Sequence, residues 1–181
     1  SFPTRRSSDL ERMGSLLVEV VELRQAVVQL AHDYFLLPKD KRLSIDVMSA
    51  EKFLVRKTPE KYESIFIDLF TGSGMAPALQ GENFFNNCKN KLSSTGFLSV
   101  NLWGGRTTAQ LEIIKNRMLK TFGEHVYFLP VPQRGNIIAI SLNFPYQALG
   151  NPIQHECAEE LESKYQIEFV EFLNTLVRRD L

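Results

Sequence analysis

Two cysteines, one tryptophan, three histidines and a formal net charge of zero leave this 181-residue chain with few of the features that mark a specialised protein. Cys88 and Cys157 are too few for a disulfide framework and show no metal-type spacing, so they are expected to stay reduced. The 21 basic and 21 acidic side chains cancel. No basic stripe with interleaved aromatics stands out, which argues against nucleic acid as a primary partner. No apolar run approaches the ~20 residues needed to cross a bilayer. The chain also lacks any Gly-x-Gly-x-x-Gly turn, internal repeat or low-complexity tract. His32, His125 and His155 are scattered, as satisfied core or surface histidines usually are.

A hydrophobic content of 44% over this length is enough for one domain with a substantial core, and too little for two full ones. Strand and helix patterns alternate, which predicts a mostly parallel sheet covered on both faces. The expected strands are Leu16 to Glu22, Leu43 to Met48, Ser64 to Asp68 and Gly96 to Leu102. The expected helices are Gln25 to Phe35, ended by Pro38, Ala50 to Lys57, Asn83 to Lys91 and Thr107 to Phe122. In the last of these Leu111, Ile114, Met118 and Leu119 recur at helical spacing. Val126 to Leu129 and Asn136 to Asn143 flank a Pro-Gln-Arg-Gly turn and read as a terminal antiparallel pair. From Asn151 onward the texture changes to two amphipathic helices broken near Gln166, packed on the sheet edge or on a partner subunit.

The most informative stretch is Tyr62 to Gly74, a short apolar strand that delivers Asp68 to a Thr-Gly-Ser-Gly loop. Open α/β sheets build their ligand sites from such acids and glycine loops at the carboxyl edge. Leu16 to Val21 leads into Glu22 in the same way, and two acids on one edge point to a nucleoside-type ligand. The plainer alternatives are that Asp68 starts a turn and that Glu22 is an ordinary charged strand end. Trp103 either walls a cavity or packs in the core, and Phe84 and Phe85 belong to the core. Gly72, Gly74, Gly104 and Gly105 are loop glycines where backbone can near a ligand.

Taken together, Val20-Val21-Glu22-Leu23, Met48-Ser49-Ala50-Glu51-Lys52-Phe53-Leu54 and Ile67-Asp68-Leu69-Phe70 resemble the spermidine synthase (polyamine aminopropyltransferase) family, in particular its bacterial branch. The resemblance runs from about Leu16 to Asn143. It implies a Rossmann-like, class I methyltransferase-type α/β fold with a doubly wound sheet, mostly parallel with an antiparallel terminal strand. It implies a cytoplasmic enzyme of polyamine biosynthesis, without metal, that moves an aminopropyl group from decarboxylated S-adenosylmethionine to a putrescine-type acceptor. Asp68 matches the base of the family's Asp-x-x-Asp motif, and Glu22 matches the acid that binds the ribose hydroxyls. Ser49 and Ala50 stand where an Asp-Ala pair meets the adenine. A homodimer is a further implication, whereas neither nucleic acid nor membrane is expected as a partner.

Two departures bear on activity. Thr71 replaces the second acid of the Asp-x-x-Asp motif, which helps hold the cationic substrate, and Ser49 replaces the adenine-binding acid. These losses keep two other readings open: a small-molecule methyltransferase using intact S-adenosylmethionine, and a catalytically inactive nucleoside- or polyamine-binding relative. Residues 1–10 look like a translated sequencing adapter and are set aside. Residues 11–150 are expected to form a Rossmann-like domain lacking the first, central strand and the glycine-rich turn after it, and residues 151–181 a helical segment packed on that domain.

Overall fold

The computed structural model describes residues 16–57, 61–105, 109–132, 134–144 and 152–176. The expected leader, residues 1–10, lies outside them. The chain divides into two compact units, residues 1–57 and 58–181.

In the first unit, β1 (Val18–Glu22) runs parallel to β2 (Leu43–Val47), with Val18 opposite Leu43 and Glu22 opposite Val47. The connection is α1 (Gln25–Tyr34), which makes a βαβ unit. This helix does not wait for Pro38 to stop. Leu36 takes a positive φ of 53°, and Leu37 N–H reaches back to Ala31 O at 3.0 Å, which closes the last turn. After β2, Ser49 caps α2 (Ala50–Leu54), a helix shorter than its sequence pattern suggests. Phe53 and Leu54 are buried here, while Val20, Leu23, Leu30, Phe35 and Val47 remain exposed.

The second unit is built on a four-stranded sheet of order β3-β6-β8-β7, formed by Tyr62–Ile67, Leu92–Trp103, Asn136–Leu142 and Val126–Pro130. Strand β3 is parallel to β6, and β8 is antiparallel to both β6 and β7. A short hairpin, β4 (Phe70–Thr71) with β5 (Gly74–Met75), follows β3. It leads through a 3-10 turn at Pro77–Gln80 to α3 (Phe84–Lys91). Helix α4 (Ala109–Phe122) connects β6 to β7. Helices α5 (Pro152–Tyr165) and α6 (Phe169–Thr175) close the described chain, broken at Gln166 with its φ of 56°. Helix α6 touches the outer strand β7.

Alternation along β6 and β8 creates one sealed face, and in β7 Tyr127 is buried as well. Leu98, Val100 and Leu102 of β6, Ala139 and Ser141 of β8 and Val126 and Phe128 of β7 are all buried. Register places them side by side, with Val100 opposite Ala139 and Phe128 opposite Ala139. Ile114 and Met118 of α4 and Phe85 and Cys88 of α3 are buried with them, as the helical spacing predicts. The ammonium of Lys115, nearly buried, lies 5.6 Å from the Phe128 ring centroid and 3.3 Å from Glu112 Oε1. The opposite face of β6, carrying Phe97, Ser99, Asn101 and Trp103, is only half-buried or exposed.

The expected single sheet is therefore described as separate ladders. Among the described residues, neither β1 nor β3 has a paired strand on its second edge. A parallel strand needs partners on both sides and cover on both faces to bury its backbone.

Cys88 is fully buried, and loss of solvation pushes its thiol up to about 12, whereas Cys157 is exposed. A thiol reagent at pH 8 is expected to modify Cys157 in the native chain and Cys88 only after denaturation. Mass spectrometry of the labelled peptides checks this, and rapid labelling of Cys88 would show that α3 is not seated on the sheet.

Candidate active site

Asp68 owes its position to the register of β3. Ile65 pairs with Leu98 and Ile67 with Val100, so both isoleucines share the sealed face and the next residue turns to the open one. Its carboxylate is exposed at the carboxyl end of the parallel strand. Asn101 Nδ2 donates to Asp68 Oδ1 at 3.0 Å. Asn136 Nδ2 in turn donates to Asn101 Oδ1 at 2.8 Å. Three neighbouring strands, β3, β6 and β8, thus converge on one carboxylate. Neither asparagine was singled out from the sequence. The available signal was a polar amide between the core residues Val100 and Leu102, at the end of a strand already suspected of facing a ligand.

The Thr-Gly-Ser-Gly run forms the β4–β5 hairpin, with Thr71 opposite Gly74 and Phe70 opposite Met75. Gly74 adopts φ 124°, which a side chain would resist. Thr71 Oγ1 accepts from Ser73 N–H at 3.3 Å, donates to Gly74 O at 3.2 Å and meets Ser73 Oγ at 3.0 Å. Thr71 is therefore occupied as a turn former in this structure. Helix α4 steadies the hairpin through Gln110 Nε2, which donates to Met75 O at 2.9 Å. Trp103 closes β6 and is 46% exposed, so it is not a core residue. Gly104 gives its N–H to Gly135 O at 2.7 Å, and a Cβ there would collide with Ile137. Its glycine serves the chain's own packing. Phe84 and Phe85 are buried as expected, ring edge to ring face at 5.4 Å.

In the first unit, Glu22 ends β1 half-buried, and its Oε1 accepts Arg24 N–H at 2.9 Å. That bond holds the turn into α1. Oε2 has no partner among the described residues. Ser49 Oγ accepts Lys52 N–H at 3.3 Å as the cap of α2, and Ala50 is the first helical residue. A capping hydroxyl keeps its proton, so it can still donate to a ligand. Glu22, Ser49 and Ala50 belong to the first unit, and Asp68 and Thr71 to the second. Among the described residues, no three His, Cys, Asp or Glu side chains gather as a metal site would require. No helix there is long and apolar enough to cross a membrane. A cleft of about 450 Å³ beside α5, lined by Glu159, Glu162, Ser163, Gln166, Ile167 and Glu168, contains none of the predicted site residues.

A βαβ unit with an acid ending its first strand, and a mixed sheet with an acid ending its parallel edge strand, define the Rossmann-like fold shared by class I methyltransferases and spermidine synthases. Human methyltransferase-like protein 13, solved with SAH, superposes with a TM-score of 0.72 at 18% identity, covering 87% of this chain and 74% of that one. A spermidine synthase solved with the transition-state analogue AdoDATO gives 0.62 at 17% identity, covering 76% and 50%. These likenesses establish the fold.

In sequence the chain is similar to the polyamine aminopropyltransferase of Chromobacterium violaceum, 29% identical over 156 residues that make up 86% of this chain and 59% of the relative. The Neisseria meningitidis enzyme of the same name is 28% identical over 151 residues, 82% of this chain and 56% of the relative. The chain thus spans somewhat over half the length of these curated relatives. No protein-family model matches it. The resemblance read from the motifs at Glu22, Ser49 and Asp68 is borne out at this level.

Ser49→Ala is expected to weaken the start of α2 by about 0.5–2 kcal/mol, the usual cost of a lost cap. Faster hydrogen exchange at the Lys52 amide would register the loss. Unchanged exchange there would mean that the hydroxyl does not hold this turn.

Proposed function

We propose that this chain is part of an aminopropyltransferase that moves an aminopropyl group from decarboxylated S-adenosylmethionine to an amine of a putrescine-type diamine. The observation that carries the reading is Asp68, an exposed carboxylate at the carboxyl end of a parallel strand with one oxygen held by Asn101. Similarity to polyamine aminopropyltransferases over most of the chain supports it.

The reaction is a displacement at the methylene carbon bonded to a sulfonium. The acceptor amine must first present a lone pair, which at neutral pH means losing a proton to a base. Asp68 would take that proton on Oδ2, with Oδ1 bonded to Asn101. The N–C bond forms as the C–S bond breaks, and the electron pair passes to sulfur, leaving a neutral thioether. A positioned base contributes about 10²–10⁴-fold to such a step, and holding the reactants in line contributes further.

Glu22 would accept from the ribose hydroxyls through Oε2, and Ser49 with Ala50 would meet the adenine. Thr71 would contribute only a hydroxyl to acceptor binding, so Asp68 alone of this pair would attract the cation. The enzyme would act on a small molecule in the cytoplasm and need no metal.

Asp68→Asn is expected to lower turnover at least 10²-fold while leaving donor binding by calorimetry unchanged. Unaltered turnover in that variant would remove Asp68 as the base. Supplying intact S-adenosylmethionine beside the decarboxylated form separates this reading from methyl transfer, which would produce the demethylated nucleoside thioether instead. Tight donor binding with no turnover of either form would mark a catalytically inactive relative.

Thr71→Asp restores a second acid and can still accept from Ser73 N–H, as aspartate does in turns. Diamine affinity should rise several-fold at low salt, the effect of one added charge near a surface. No gain in affinity would indicate that the acceptor is not a diamine.

A further inference from the structure

Asp68, Asn101 and Asn136 lie in line across three adjacent strands. Residue 101 faces Ile138 across the antiparallel β6–β8 pair, and Asn136 is two residues from Ile138, on the same side of the sheet. Backbone ladders fix Asn101 and Asn136, and Asp68 directly follows the last ladder pair of β3, Ile67 with Val100. The polarity of the line is fixed as well. An ionised carboxylate only accepts, so Asn101 must turn its NH₂ toward Asp68 and its oxygen away. That oxygen needs a donor, which Asn136 Nδ2 supplies at 2.8 Å.

We infer that Asn101 and Asn136 are positioning residues, a two-amide relay that fixes the plane of the Asp68 carboxylate and so directs its unbonded oxygen toward the acceptor amine. The inference rests on the reading of Asp68 as the base and adds to it the means of its alignment. Without Asn101, the exposed carboxylate would turn freely about its last torsion, which is broad for an aspartate. The acceptor-only carboxylate sets which end of the Asn101 amide faces it, but would leave the Asn101 oxygen without a partner. Asn136 supplies that partner and holds the amide in place. A base must meet the amine within about 3 Å and in line with the reacting bond, so a freely turning carboxylate spends most of its time misaligned.

Asn136→Asp is nearly isosteric but replaces the donor with an acceptor. Asn101 is then drawn to turn its NH₂ toward residue 136, which places its oxygen against Asp68 and breaks the line. Asn136→Leu removes the donor without offering a competitor. In the purified chain, both variants are expected to lower kcat about tenfold or more with the KM for donor changed less than twofold, and Asn136→Asp more so than Asn136→Leu. A second readout needs no turnover: the Asn101 side-chain NH₂ signals in a nitrogen-15 spectrum should move upfield in Asp68→Ala, where the bond to the carboxylate is lost, and should shift in Asn136→Asp, where the NH₂ meets a different carboxylate.

Unchanged Asn101 signals together with wild-type kcat in both Asn136 variants would overturn the relay. Unaltered turnover in Asp68→Asn, with the Asn101 signals responding to Asn136→Asp, would overturn the assignment of Asp68 as base and leave the hydrogen-bonded line standing as a structural element. If the chain turns over no aminopropyl donor, the spectrum alone decides, and static signals across the variants refute the relay.

Discussion

The parallel pairing of β3 with β6 is the constraint on which the second unit depends. It sets Ile65 and Ile67 against Leu98 and Val100 on the sealed face, and so obliges Asp68 to leave that face at the strand's carboxyl end. A slip of one residue would bury the acid and expose the isoleucines, an exchange that costs both apolar burial and the desolvation of a charge. The same register brings Asn101 to the carboxylate. Packing and chemistry are thus two results of one alternation, and the core residues Val100 and Leu102 are as necessary to the site as Asn101 between them.

Within each unit, the other candidate residues sit in short local structures and have structural duties of their own. Thr71 shapes the hairpin, Ser49 caps a helix, Glu22 holds the turn into α1 and Gly104 makes way for Ile137. Such double use limits what each can give a ligand. Glu22 retains one oxygen without a described partner, and Ser49 retains a proton. Thr71 has both its donor and an acceptor position engaged. Asp68, like Glu22, keeps its second oxygen without a described partner, and its bond comes from a neighbouring strand rather than from its own turn.

Much of this was legible in the sequence. Alternation of short apolar runs with amphipathic stretches gave every major strand and helix to within a few residues, because both periods follow directly from which face is buried. The terminal antiparallel pair was visible in the Pro-Gln-Arg-Gly turn between two apolar runs, and the helix break near Gln166 within the amphipathic stretch that begins at Asn151. Less visible was that the Thr-Gly-Ser-Gly run pairs as a hairpin, and that the end of α1 is set by backbone at Leu36, ahead of Pro38. Trp103 was ambiguous because its exposure depends on what lies across the strand end. The Asn101–Asn136 line could not be read at all. It joins residues 35 positions apart through strand order, and strand order is a tertiary property.

The central claim is that Asp68 offers one fixed oxygen to an amine. A structure of the chain with a bound diamine tests it most directly. The account predicts an amine nitrogen within about 3 Å of Asp68 Oδ2 while Asn101 still holds Oδ1. A diamine seated elsewhere, or one that displaces Asn101 from the carboxylate, would contradict it.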